Sequence, residues 1–441
     1  MLITDGLPRR LAEPLDALRA RRIDATEKGF AFQGAVSAAS IAQARPPLHQ
    51  AGLSYPVLTL RESALLANAR AMADYCARHG VDHAPHGKTH MSPELAALQL
   101  AHGAWAITVA TIGQLRVYRD FGFGRLLLAN ELTDAAGIAW LAGEMAAHPD
   151  FEPLCYVDDI KNTEFLARTY GGSTSGPGLP VRPLPVLVEI GHADGRTGCR
   201  TDEEALAVAK SVSATPGLRL AGVSGYEGTI SHDGTAEMLA QVTEFCRRLR
   251  RLADTLRPAD AEDFVLSAGG STSFDLVTEQ LTMGGTDGLR VVLRSGAYLT
   301  HDHGIYGRMS PSARGVPGAP EFRPAIELWA QVLSRPEPGL AIAGFGRRDA
   351  GFDAGLPVPL RTAGGPASPA GPANRATGPG WRVTKLMDQH AYLSVPEQTA
   401  LAPGDLVCFG ISHPCTTLDK WRVMPVVDDD GLVRDVVHAF F

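Results

Sequence analysis

Between residues 83 and 298, eight short runs rich in Val, Ile and Leu recur, each followed by a polar-apolar stretch of helical spacing. A strand buried on both faces reads as a continuous apolar run and its crossover helix as an amphipathic one, so the alternation predicts parallel β/α units. The runs place strands at 83–89, 106–112, 125–130, 154–158, 185–191, 221–226, 264–271 and 291–298. SPELAALQLAHG and TAEMLAQVTEFCRRLRRLADTL carry apolar residues at i, i+3, i+4 and i+7 and have the length of crossover helices. Eight such units fit an α/β fold, a (β/α)8 barrel of the TIM type, for which about 250 residues is typical.

The barrel accounts for part of the 441 residues, and domain sizes suggest roughly two to three units. The barrel domain is assigned to 55–311. Beyond it AIELWAQVLSRP, GLAIAGFG, WRVTKLMDQHAYLSV and DLVCFGI are short β-like runs separated by turns, which predicts a C-terminal β domain over 312–441. RTAGGPASPAGPANRATGPG, at 361–380, is a Pro/Gly/Ala-rich loop expected to be mobile and dispensable for chemistry. GGSTSGPGLP, at 171–180, has the same character more weakly. Residues 1–54 are read as an extension that begins with an exposed amphipathic helix and then partly joins the β domain.

A formal net charge of −7 disfavours nucleic acid and polybasic membrane contacts as partners. No signal-peptide core and no apolar stretch of about 20 residues is present, so the expectation is a soluble, cytoplasmic protein acting on a small molecule. Cys76, Cys155, Cys199, Cys246, Cys408 and Cys415 are scattered without close pairing and read as reduced thiols.

In such a barrel, catalytic groups gather where the strands end, and phosphate commonly binds after strands seven and eight. Strand seven runs into SAGGSTSFD, where Gly269 and Gly270 let backbone N–H groups approach an anion and Ser271, Thr272 and Ser273 add hydroxyls. Strand eight runs into RSGAYLTHDHG, where Ser295, Gly296 and Tyr298 are placed to complete the cradle. Lys88 of HAPHGKTHMSP sits across the same rim, near His83, His86 and His90. A lone lysine in a polar loop is ordinarily a surface residue. One facing a phosphate cradle matches the needs of a phosphate-bearing aldehyde cofactor, an anion site plus a Schiff-base amine of lowered pKa. In GISHPCTTLDKW, His413 and Cys415 share one face of an extended segment, a zinc-type pair that leaves positions open for water or substrate. A buried thiol beside a hydrogen-bonded histidine has the same spacing, and His301, Asp302 and His303 of THDHG form a rival cluster that serves either metal or substrate.

PHGKTHMSPELA, GAWAITVAT, LLLANEL, EIGHADGRTGCRT, GVSGYEG, SAGGSTSFD, RSGAYLTHDHGIY, GRRDAGFDAGLP and SHPCTTLDKW, in this order, resemble the D-serine dehydratase and D-threonine aldolase group over residues 55–441. These are fold-type III pyridoxal phosphate enzymes related to alanine racemase. The resemblance implies that Lys88 carries pyridoxal 5'-phosphate as a Schiff base, and that His413 and Cys415 hold a divalent metal, zinc first and manganese or magnesium as alternatives, beside the substrate's β-hydroxyl. It implies cofactor contacts for Arg196 and Tyr226. Within the group the dehydratases resemble His-x-Cys and the aldolases His-x-Asp, so Cys415 points to elimination from a β-hydroxy D-amino acid such as D-serine, D-threonine or D-threo-3-hydroxyaspartate, giving a 2-oxo acid and ammonia. D-threonine aldolase and a non-catalytic cofactor carrier are the alternatives. Arg347, Arg348 and Asp349 either contact the substrate carboxylate or form a loop salt bridge. A homodimer is expected by analogy.

Overall fold

The computed structural model describes residues 7–173, 182–230, 234–363 and 375–441. All eight predicted barrel strands form, as Asp82–His83, Ile107–Val109, Arg125–Glu131, Glu152–Val157, Leu184–Ile190, Leu218–Gly225, Phe264–Ala268 and Leu289–Leu293. Neighbours pair in parallel, and strand eight pairs with strand one. The ring closes where Trp105 N–H donates to the His83 carbonyl (2.7 Å) and Thr108 N–H to that of Pro85 (2.9 Å). Alternation along each strand sorts the side chains. Leu127, Leu187, Val265 and Val292 fill the barrel interior with Ala84 and Tyr156, while Leu126, Leu128, Val186 and Val188 pack outward under the helices.

Strands one, seven and eight end well before their apolar runs, and strand two stops at Val109. Strand one stops at His83, and Gly87–Thr89 form a 3-10 turn instead of extended chain. Strand seven stops before Gly269, whose φ of +102° breaks the pleat. Strand eight stops at Leu293 although Ala297, Tyr298 and Leu299 are buried. The runs continue past the strands because the second domain covers this rim, and burial alone does not extend a strand.

The second domain is a mostly antiparallel sheet centred on Ile326–Glu337, flanked by Leu406–Gly410 and Leu340–Ala343 and extended by Val358–Ala363 and Ala391–Ser394. Val57–Arg61, counted with the barrel above, belongs here instead: it pairs antiparallel with Ile326–Glu337 and parallel with Val423–Val427. Its burial on both faces makes it look like a barrel strand locally. The loop assigned to 361–380 is narrower than expected, because Arg361–Ala363 complete a strand that pairs with Arg375–Ala376. Residues 364–374, and 174–181 of the earlier Gly/Ser segment, lie outside the described residues.

Helix Arg9–Arg19 forms but is not exposed on its apolar face. Leu11, Leu15 and Leu18 are buried, and Arg10 pairs with Asp150 at 2.6 Å. Ile23, Phe30, Ala38, Ile41 and Ala51 then make a separate cluster with Val423, Val433 and Val436 of the second sheet. All six cysteines are free thiols, and no helix among the described residues is long and apolar enough to cross a membrane.

Candidate active site

A cavity of about 310 Å³ opens at the C-terminal ends of the barrel strands. Lys88 enters it after strand one, Arg196 and Tyr226 after strands five and six, and Gly269, Gly270, Ser271 and Thr272 after strand seven. Ser295 and Gly296 follow strand eight, and His413 and Cys415 come from the second domain. The two domains are stitched together here: His303 N–H donates to the Ile411 carbonyl (2.8 Å) and Ile305 N–H to that of Ser412 (3.1 Å). Gly304 permits this approach, since a Cβ there would lie 2.4 Å from Ser412 Cα.

Lys88 sits on its tight turn because Tyr118 fills the space beneath, its hydroxyl donating to the Gly87 carbonyl at 2.9 Å. A side chain at Gly87 would meet that hydroxyl at 2.6 Å. Burial lowers the pKa of Lys88, and the Arg196 and Arg294 guanidiniums lower it further against the opposing pull of Cys415. The histidines do not provide the cationic setting expected of them. Burial takes His83 and His90 down to about 4 and lowers His86 well below its ordinary value, so all three are neutral at physiological pH. His83 bonds the Ser295 carbonyl at 2.9 Å, and His90 accepts from Ser92 N–H at 3.0 Å, both structural tasks.

The cradle differs from expectation in one respect. The N–H groups of Gly269 and Gly270 already hold an anion, the buried carboxylate of Glu227, at 3.1 and 2.6 Å. Among the described residues, the backbone N–H groups of Ser271, Thr272, Ser295 and Gly296 have no partner, and they border the cavity. Arg294 lies buried at its base, bonded to Ser224 Oγ (3.0 Å), Ser267 Oγ (2.6 Å) and the Gly225 carbonyl (2.6 Å) but to no carboxylate. Free N–H donors around an unneutralised guanidinium fit a phosphate-bearing ligand. Glu227→Gln is expected to strand one of the two glycine N–H donors. Stability in urea unfolding should fall by about 1–3 kcal/mol, with the m-value unchanged.

His413 and Cys415 reach the cavity from the turn into helix Cys415–Leu418, not from an extended segment. Asp353 Oδ2 lies 2.6 Å from His413 Nδ1, and Asp353 Oδ1 accepts from Thr416 Oγ at 2.6 Å. The hydrogen bond with Cys415, then its charge and that of Asp353, push the His413 pKa up to about 9. Cys415 Sγ lies 3.5 Å from Thr89 Oγ, one residue from Lys88. With Nδ1 occupied, Nε2 remains as the ring's coordinating nitrogen beside a sulfur. That donor set and its carboxylate brace suit a zinc-type ion.

The remaining candidates fall outside the cavity. Tyr298 is buried against His83 and takes a hydrogen bond from Gln99 at 3.3 Å. Ser273 also lies apart. Asp302 caps the short helix Ile305–Met309 by accepting from the N–H groups of Gly304, Tyr306 and Gly307, and His301 bonds the Asp302 carbonyl at 3.0 Å, so THDHG shapes the rim instead of lining it. Asp349 pairs with Lys28 at 2.7 Å, Arg348 with Asp388, and Arg347 stacks on Phe352, and none of the three lines the cavity. Sequence reasoning missed Tyr156, Arg294 and Tyr306 in the lining and Asp353 and Glu227 behind it. The signal for Asp353 was present in GFDAG, an acid in a glycine-rich turn.

An amine of lowered pKa facing N–H donors free of protein partners at a parallel barrel's mouth defines a class: barrels arranged to receive an anionic small molecule. The chain belongs to the alanine racemase N-terminal domain family of fold-type III pyridoxal phosphate proteins, whose model matches residues 60–284. A second model, described as a putative serine dehydratase domain, matches residues 325–427. The chain is 29% identical to a D-threonine aldolase of Arthrobacter sp. over 89% of its own length and 95% of that protein's. It is 27% identical to a 3-hydroxy-D-aspartate aldolase of Paracoccus denitrificans, over 71% and 77% of the two chains. The solved D-threo-3-hydroxyaspartate dehydratase of Delftia sp. HT23 superposes with a TM-score of 0.68 at 20% identity, covering 88% of this chain and 98% of that one.

Proposed function

We propose that this chain is a pyridoxal phosphate- and divalent-metal-dependent dehydratase of β-hydroxy D-amino acids, giving a 2-oxo acid and ammonia from D-serine, D-threonine or D-threo-3-hydroxyaspartate. The observation that carries the reading is Cys415, paired with His413, in the cavity that also holds Lys88. Bound there, pyridoxal phosphate supplies an electron sink for charge developing at the substrate's Cα, and the metal a Lewis acid at the β-oxygen.

Lys88 would hold the cofactor, and its Nζ would take the proton from the substrate's Cα; its lowered pKa would keep a share of the amine unprotonated for that task. The N–H groups of Ser271, Thr272, Ser295 and Gly296 hold the phosphate. Arg196, stacked 4.8 Å over the Tyr226 ring, would bind the cofactor together with that tyrosine. His413 and Cys415 hold the metal, and Asp353 fixes the imidazole. Gly269 and Gly270 act indirectly, as the turn that Glu227 pins. A homodimer, which light scattering of the holoenzyme checks, is part of the reading.

Aldolase cleavage to glycine and an aldehyde is the second reading, favoured by the names of the curated relatives. Ammonia release from D-serine by the holoenzyme, before and after EDTA treatment, tests the proposal: metal-dependent ammonia is expected, and its absence with every substrate named would sink it. Asp353→Asn is expected to weaken metal affinity by about 10–100-fold, read by metal titration, with Lys88 still binding the cofactor.

A further inference from the structure

We propose that Glu131, Asp158 and Glu189 form a second cation site, for a hard divalent ion such as Mn²⁺, Mg²⁺ or Ca²⁺, that braces the loop carrying Arg196. The three come from the ends of barrel strands three, four and five. One carboxylate oxygen of each lies within 4.8 Å of the others. Oxygens facing each other across such an ion, each at about 2.0–2.6 Å from it, are separated by roughly 4–5 Å.

Proximity of acids alone does not make a site, and the second observation is burial without partners. Glu189 is 4% exposed and its Oε2 makes no hydrogen bond; both carboxylate oxygens of Glu131 are also buried and unpartnered. Among the described residues no Lys, Arg or His forms an ion pair with any of the three. Three carboxylates gathered and partly desolvated without a counter-charge need either protons or a cation. Burial, then a hydrogen bond with Glu189 and its charge, push the pKa of Glu131 up to about 9, so without a cation a proton takes its place.

None of the three lines the active cavity, and their all-oxygen set differs in kind from the imidazole and thiol of His413 and Cys415. Two of the three hold the loop of Arg196. Asp158 Oδ2 accepts from Gly198 N–H at 2.8 Å, and the Glu189 carbonyl accepts from Cys199 N–H at 2.8 Å. Gly191 N–H donates in turn to the Cys199 carbonyl at 3.0 Å, so residues 191–199 form a closed loop on the proposed ion's ligands. The inference stands apart from the dehydratase reading, since it needs only these residues.

The test is Mn²⁺ binding, followed by electron paramagnetic resonance, to the metal-stripped, cofactor-loaded His413→Ala/Cys415→Ala protein. One Mn²⁺ per chain is expected, with affinity falling at least about tenfold on adding Glu189→Gln or Asp158→Asn. Should those combined variants not fold, the rise in Tm that Ca²⁺ gives the unmodified holoenzyme provides the same decision. That rise is expected to be lost in Asp158→Asn, a position only partly buried. Absence of Mn²⁺ binding, equal affinity in the variants, or a Ca²⁺ shift absent from the unmodified protein or retained in Asp158→Asn overturns the proposal. A Glu189→Gln protein that gains stability with no metal effect also overturns it, in favour of a proton shared between the two glutamates.

Discussion

Lys88→Ala is expected to lower ammonia release from D-serine by at least about 10⁴-fold, since removing a general base alone costs roughly 10²–10⁴-fold and, in the proposed reading, the same amine also anchors the cofactor. His86, two residues away like His90, has its pKa lowered by burial and by the charges of Lys88, Arg294 and Arg196, which makes it a weak base, and its Nδ1 has no partner. Borohydride reduction of the unmodified holoenzyme should attach the pyridoxyl group to the peptide containing Lys88. The variant should bind pyridoxal phosphate only in a dialysable form, because Arg294 and the N–H donors around the cavity remain. A variant that retains activity, or reductive labelling on another lysine, would remove Lys88 from the centre of the site.

The second large effect concerns Cys415. Stripping the metal, or Cys415→Ala, is expected to reduce elimination by about 10³-fold, the several kcal/mol that a Lewis acid contributes at a leaving oxygen. Cys415→Asp keeps a metal ligand at that position but replaces sulfur by oxygen. If the ligand type selects the reaction, this variant should bind metal, lose ammonia release, and gain glycine and acetaldehyde from D-threonine. The two changes are separable because Asp353 and Thr416 hold the His413 side of the pair independently of residue 415. Product analysis by chromatography, with bound metal counted in the same samples, checks both. Loss of metal without a change of product in Cys415→Asp would leave the ligand with an affinity role alone.

Much of this architecture is readable from local pattern. Strand periodicity locates all eight barrel strands, since each must be apolar on both faces, and the Gly/Ser turns mark the rim. Long-range pairing is what the sequence conceals. Val57–Arg61 has the composition of a barrel strand, and only its partners in Ile326–Glu337 and Val423–Val427 decide its sheet. Residue type likewise does not reveal protonation. The three histidines near Lys88 suggest a cationic cluster, but burial makes them neutral, and the charges that act on the lysine arrive from Cys415, Arg196 and Arg294, more than a hundred residues away. The glycine turn after strand seven has the look of an empty anion nest, yet Glu227 fills part of it from the preceding strand's loop. GRRDAG reads equally well as a substrate clamp or a salt bridge until Lys28 is found against Asp349, with Trp421 Nε1 donating to the Asp349 carbonyl at 2.9 Å.

The most direct measurement is the product ratio from D-threonine turned over by the metal-loaded holoenzyme. D-threonine is the substrate on which elimination and carbon–carbon cleavage compete from one bound state, so a single assay weighs Cys415 against the names of the relatives. The account predicts 2-oxobutyrate and ammonia in equal amounts, abolished by EDTA and by Lys88→Ala, with glycine and acetaldehyde negligible. Glycine and acetaldehyde as the main products would contradict it and make this chain an aldolase that coordinates its metal through a cysteine.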